Sequence, residues 1–231
     1  MASIDCNGLT LKEINRAIKE GLNKDGESIV ENPNSRHNLG VGLDQPGRVV
    51  FEGSVGYYCG GMLKQCTIEI NGNAGWSVAS DMQSGTVIVR GNSSACAGAA
   101  MRGGTLIVHG NSGPRTGISQ KAGTILIGKN VDYMSGFVMQ RGLMVVCGDT
   151  GDAFADSIYE GKLFVLGAVE DLGNDAIITE SSDNDKLKIS DLLSKYKIDQ
   201  IPKNPEFKKI VSEKKLYNFD KSDFKLWRVA L

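Results

Sequence analysis

The residues of this chain with the most chemistry to offer are two histidines, five cysteines and a glycine-rich run. His37, in "NSRHNLGVG", and His109, in "TLIVHGN", could move protons near neutral pH. A general acid or base works with an oriented partner, and no carboxylate is patterned beside His37. His109 ends a strand-like run, in a column that Asn71 and Arg90 share. His37 therefore reads as structural and His109 as a surface residue. Cys59 and Cys66 could ligate a metal, but they form no C-x-x-C pair, and no His or second pair supports them. An odd count of five cysteines without that pairing reads as free thiols in a reducing cytosol. Met82, Met101 and Met139 fall in one column, as soft-metal ligands or as a stacked core; the core is the simpler reading. The run "GNSGPRTG" could cradle a phosphate through backbone N–H groups. A dinucleotide fingerprint, however, needs one glycine-rich turn between a strand and a long helix, whereas here the glycines recur regularly. No G-x-S-x-G, H-E-x-x-H or Walker A sequence occurs. These readings leave no catalytic, cofactor-binding or metal-binding residue in the chain.

What must position these residues is a repeat. "SGTVIVRGN", "GGTLIVHGN" and "AGTILIGKN" follow one another at nineteen-residue intervals. Residues 36–168 fall into seven blocks of nineteen without gaps. A fixed period near twenty marks a solenoid. Gly47, Gly85, Gly104, Gly123, Gly142 and Gly161 share a column, with Cys66 the exception, which predicts a backbone turn before each strand. Val49 and Phe51, Ile68 and Ile70, Val87 and Val89, Leu106 and Val108, and Ile125 and Ile127 then alternate inward with the period of a strand. Asn73, Asn92, Asn111, Asn130 and Asp149 close successive blocks, where Asn tolerates left-handed backbone and stacked amides can form a ladder. The expected fold is mainly β: a single-stranded parallel β-helix of about seven 19-residue coils. Successive coils rise about 4.8 Å.

Between the inward positions lie Val50, Glu69, Ile88, Ile107, Leu126, Val145 and Phe164, six of them apolar. They predict a continuous outer stripe, too large to be left in water. Either the C-terminal helices, with Phe207, Ile210, Val211 and Leu216, fold back over it, or a partner subunit does.

The flanks supply caps for the open ends. Residues 1–35 read as an N-terminal helical cap, with a Thr10/Glu13 capping box and a face of Leu11, Ile14, Ala17, Ile18 and Leu22. Residues 36–168 form the β-helix. Residues 169–231 read as an acidic, exposed connection and then short helices over "KISDLLSKY" and "NPEFKKIVSEKKLYNF". The net charge of −1 over 231 residues suggests neither nucleic acid nor an anionic membrane as partner. The start lacks a signal-peptide run and no apolar stretch approaches a membrane span, so a soluble cytoplasmic protein is expected.

The glycines carry a further pattern. Gly53, Gly56 and Gly60 read G-x-x-G-x-x-x-G, as do Gly110, Gly113 and Gly117, and Gly91, Ser94, Gly98 and Gly148, Gly151, Ala155 nearly match. This resembles the C-terminal GXGXG β-helix domain of the glutamate synthase large subunit. The entry "LTLKEINRAI…VENPNSRHNLGVGL", "GYYCGGM", "CGDTGDAFADSIYEGKLFVLG" and "KKLYNF" resemble it too, and together they cover most of the chain. In that family the β-helix accompanies a class II glutamine amidotransferase part that releases ammonia. A flavin- and iron–sulfur-bearing barrel uses that ammonia. The resemblance extends to the free-standing β-helix subunit of N-methylglutamate synthase and related split enzymes. It implies a structural subunit with no active site or cofactor of its own. The partners it implies are a class II amidotransferase subunit and an FMN-binding subunit that carries FMN and an iron–sulfur cluster. The family's N-terminal nucleophilic Cys has no counterpart, because Cys6 does not stand at position 2. The fold also resembles the β-helix subunit of formylmethanofuran dehydrogenase, the rival reading; a self-contained scaffold protein is the third.

Overall fold

The structure, a computed structural model, describes residues 3–199 and 201–213. Its spine is one sheet of eleven strands that follow one another in chain order except for the last two, which are exchanged. Strands β1 (Ile4–Asp5) and β2 (Glu27–Glu31) pair in parallel and lead into the coils. The coils contribute β3 (Gly47–Glu52), β4 (Cys66–Ile70), β5 (Thr86–Val89), β6 (Arg102–Val108), β7 (Ala122–Ile127), β8 (Leu143–Val146) and β9 (Lys162–Val165). These are parallel, with an offset of nineteen from strand to strand, as in Ile68↔Val87 and Val87↔Leu106. The expected β-helix is thus the observed one, and the inward residues Val49, Phe51, Ile68, Ile70, Val87, Val89, Leu106, Val108, Ile125 and Ile127 are all buried.

The other side of each coil is built from alternating left-handed residues. In the fourth coil Cys96, Gly98 and Ala100 have φ of 60°, 66° and 54°. Left-handed backbone costs a non-glycine residue roughly 1–2 kcal/mol. The alternation repays this by aiming successive N–H groups at the coils above and below. Cys96 N donates to Pro114 O (2.9 Å), Gly98 N to Val78 O (2.8 Å) and Ala100 N to Ile118 O (2.8 Å). Every turn is therefore bonded like a strand, and buried backbone finds its partners. Gly104, in the column before the strand, has φ +78°, and a Cβ there would lie 2.4 Å from Met82 Cε and 2.8 Å from Gly85 O.

The asparagine column forms a ladder, but its bonds run from side chain to backbone. The side-chain oxygen of Asn73 accepts from Asn92 N, Asn92 from Asn111 N, and Asn130 from Asp149 N, at 2.8–2.9 Å. None of these asparagines is left-handed. Met82, Met101 and Met139 are fully buried in the core, with Gln120 interrupting their column.

Helix α1 (Leu11–Asp25) caps the N-terminal end with the Thr10/Glu13 capping box; Ile14, Ile18 and Leu22 are buried, while Leu11 lies at the surface. The C-terminal region departs from expectation. Residues 169–174 stack on the last coil through Thr150↔Val169 and Phe154↔Leu172, so the acidic segment is partly an eighth half-coil. It continues into β10 (Ala176–Thr179) and α2 (Asp183–Lys195), whose Ser182/Asp185 capping box starts the helix five residues before the expected "KISDLLSKY". Within "NPEFKKIVSEKKLYNF", residues expected to be helical form β11 (Lys208–Ser212), which pairs antiparallel with β9 and with β10. The last coil leaves a row of unpaired backbone groups on β9, which a strand satisfies and a helix would not. Leu216 lies outside the described residues.

From Ile107 to Phe164 the outer stripe is covered by the chain's own C-terminal segment, and Ile88 packs partly against that cover. Ile107, Leu126, Val145 and Phe164 form a second core with Ile189 and Leu193 of α2, Ile198 and Phe207. Ile210, expected on this cover, instead opposes Leu163 and closes the end of the inner core.

Candidate functional site

Candidate chemistry lies at four places: the interior, the exposed edge of the sheet, a cleft beside α2, and the turn side. In the interior, burial raises the thiol of Cys59 far above its ordinary range and that of Cys66 to about 11. Both thus favour the neutral thiol over the thiolate a metal takes. Cys66 Sγ instead meets Gly47 O at 3.3 Å. Among the described residues no group of three or more His, Cys, Asp or Glu side chains is placed to hold a metal ion. Ser93 and Ser112 hydroxyls meet at 2.7 Å, and Thr116 joins them. Gln120 Nε2 donates to Ala122 O and Gly123 O. This is a polar seam in the core, with no titratable member.

"GNSGPRTG" holds no phosphate cradle. Gly110 N, Gly113 N and Gly117 N donate to Gly91 O, Ser93 O and Ala97 O, and Arg115 N to Tyr133 O. The donors a phosphate would need are used in stacking coils. Gly113 approaches Ser94 so closely that a Cβ would lie 2.9 Å from its carbonyl carbon.

His109 does face outward, at the end of a ladder of charges. Arg48 bridges Glu27 and Glu69 (2.7 Å to the latter), Arg90 pairs with Glu69, and Arg90 Nη1 lies 3.1 Å from His109 Nε2. Partial burial first, then the neighbouring guanidinium, hold the imidazole below its ordinary pKa, so its Nε2 accepts from Arg90. The alternation Arg48, Glu69, Arg90 was present in the sequence at steps of twenty-one. No strand-by-strand reading exposes it, because the pairs cross diagonally between coils.

Beside α2, a cleft of about 510 Å³ opens onto the starts of β8 and β9, lined by Thr124, Arg141, Glu160, Lys162, Asp185 and Lys188 among others. Arg141 pairs with Glu160 and Lys209 with Asp185. The lining includes no histidine or cysteine, so the cleft has binding groups but no imidazole or thiol chemistry.

On the turn side, His37 and its neighbours sit differently from the gap-free alignment. Asn38 N bonds Tyr57 O just as Tyr58 N bonds Trp76 O, so residue 37 shares the column of residues 57 and 76, not that of Gly56. An extra residue before Gly47 restores the nineteen-residue step. His37 Nδ1 accepts from Tyr57 N (2.9 Å), and its ring stacks on Tyr57 at 4.3 Å. Tyr57 stacks on Trp76 at 5.5 Å. Trp76 is 55% exposed and Tyr57 48%. The sequence reading missed this ladder; its signal was the recurrence of aromatic residues at 57, 76 and 133, spaced by multiples of nineteen.

The comparisons with known proteins agree with this architecture. The GXGXG motif family model matches residues 12–230. Protein GlxC of Rhizobium meliloti (strain 1021) is 46% identical over 223 residues, covering 95% of this chain and 97% of that protein. A chain in the X-ray crystal structure of the formyltransferase/hydrolase complex from Methylorubrum extorquens, in complex with methylofuran, superposes with a TM-score of 0.63 at 21% identity. The match covers 84% of this chain and 83% of that one. At that identity the likeness speaks for the fold alone.

Proposed function

The chain belongs to the GXGXG motif family, and from that premise we propose that it is a non-catalytic structural subunit of a glutamine amidotransferase-coupled, FMN-dependent glutamate synthase-like complex. Within that class the reading is N-methylglutamate synthase or a related split glutamate synthase, in the cytoplasm. A class II amidotransferase subunit supplies ammonia, and an FMN-binding subunit with an iron–sulfur cluster uses it. The carrying observation is the family match from residue 12 to 230, over coils whose backbone donors are largely committed to neighbouring coils. Such a body is rigid and supports other subunits without offering a reactive group. In this complex the chain binds no flavin, because its glycine-rich turns stack on one another.

Affinity purification of the chain from its native cells, followed by mass spectrometry, tests the reading. The expected companions are an amidotransferase and a flavoprotein. Molybdenum- or tungsten-enzyme subunits would support the formylmethanofuran dehydrogenase-like alternative instead. Purification with no companion subunit would support the self-contained scaffold. A flavin absorption near 450 nm in the chain purified alone would also overturn the proposal.

A further inference from the structure

We propose that the turn side is a self-complementary surface on which a second copy of this chain docks, antiparallel, about a two-fold axis passing between the third and fourth coils. The proposal does not depend on the subunit reading above.

One column runs down this side, one residue per coil: His37, Tyr57, Trp76, Ala95, Pro114, Tyr133 and, in the last coil, Asp152. The first three are stacked rings standing out from the surface. In the next coil the column holds Ala95, a short side chain. Ala95 and Pro114 floor a trough, and Tyr133, 45% exposed, rises beyond it. Three coil steps separate Trp76 from Tyr133, roughly 14 Å at the usual strand spacing. The surroundings are poor in charge. Residues 57–62, 76–81, 95–100, 114–119 and 133–138 include two charged side chains, Asp81 and Arg115. The Asp81 carboxylate already accepts from Tyr58 Oη at 2.9 Å. In a chain that is 23% charged, this resembles the centre of an interface, where Tyr, Trp, Met and Arg gather and Lys and Glu are scarce.

Register chooses the occupant. A two-fold axis in the plane of the contact and parallel to the coils reverses the column while keeping it in line. Placed between the third and fourth coils, it sets Trp76 on Ala95 of the other copy, Tyr57 on Pro114, and His37 on Tyr133. The tall rings of each ridge enter the trough of the other copy, and every contact occurs twice, as an isologous interface requires. Arg115 meets Tyr58 of the other copy, an Arg–aromatic pairing. A parallel arrangement would set Trp76 on Trp76 and leave both troughs empty. The matched column is about 24 Å long. Its half-exposed Tyr57, Trp76 and Tyr133 supply about 300 Å² per copy, a fitting apolar centre for the roughly 800 Å² that one side of a standard interface buries.

The test uses the full-length protein alone, with light scattering after gel filtration and sedimentation velocity over a wide concentration range. The wild type is expected to be dimeric. Trp76→Ala removes the ridge, and Ala95→Trp fills the trough. Each alone should weaken the dimer by about thirtyfold or more, the effect of losing a central aromatic contact. Mixed together, the two variants should dimerise with each other, because the heterodimer restores Trp-on-Ala at one contact and pairs Ala with Trp at the other. If Ala95→Trp does not fold by circular dichroism, Tyr57→Ala and Pro114→Tyr apply the same reciprocal test one step further along. A wild type that is monomeric at every concentration overturns the proposal, including when the face is later found covered by a different subunit. So does a dimer that ignores both substitutions, or a mixture of folded variants that stays monomeric.

Discussion

The two sides of each coil are held by the same device and used differently. On the sheet side, parallel strands bond coil to coil, and the outward residues Ile107, Leu126, Val145 and Phe164 are buried beneath α2 and Phe207. On the turn side, alternating left-handed residues bond coil to coil equally well, yet Tyr57, Met62, Trp76 and Tyr133 remain 44–55% exposed. The regular columns build the scaffold on both sides. What distinguishes them is the outward residue: a largely apolar stripe that the chain shields itself, against an irregular aromatic column that is exposed among the described residues. Recurrence therefore marks architecture here, and the exposed aromatic column departs from it.

The largest effect that could break this comparison comes from removing the cover. Truncation after Lys186 takes away most of α2 together with β11 and exposes both the stripe and the open edge of β9. The truncated protein should aggregate or bind a hydrophobic dye strongly; a monomeric, dye-negative product would mean that the stripe needs no shield. Next in size, Gly104→Val should cost several times the roughly 1 kcal/mol of a tolerated glycine change, because the new Cβ meets Met82 and Gly85 at a positive φ. A melting temperature equal to wild type would dissolve the distinction between turn and strand columns.

A paired measurement sharpens the contrast further. Leu193→Ala, beneath the cover at 2% exposure, should cost about 2–5 kcal/mol. Trp76→Ala, on the open side, should change the stability of the monomer by less than about 0.5 kcal/mol. Denaturant titrations giving the reverse order would exchange the roles of the two sides. The smallest effect is in pH. His109 has a folded pKa below its ordinary 6.5, so below that value the unfolded chain binds more protons. Its contribution is complete above about pH 6.5 and is lost as pH falls toward the folded value. Glu69, Asp156 and Asp185, held below the ordinary carboxylate range by their partners, add a second loss at lower pH. His109→Gln should flatten the first step and leave the second; a wild-type melting profile unchanged between about pH 7 and 5 would show that neither burial nor Arg90 holds His109 below its ordinary pKa in the folded state.

The solenoid, its inward residues, the N-terminal capping box and the apolar outer stripe were legible in the amino-acid order. Each of these follows from a local signal: a period of two along a strand, of nineteen from coil to coil and of 3.6 along α1, and the Thr10/Glu13 pair at the helix start. Its glycine pattern also pointed to the family. Tertiary structure alone decided the rest. Phe207, Ile210 and Val211 fall at spacings that suit a helix, yet residues 208–212 form β11, because β9 ends the stack with backbone groups that only a strand can pair. Residue 37 sits one position along, in the aromatic column, since one coil absorbs an extra residue and a gap-free alignment cannot show where. The left-handed turns were hidden for a related reason. Their residues are mostly not glycine, and a side chain such as Cys96 or Ala100 holds that backbone only because hydrogen bonds to the coils on either side outweigh its local preference.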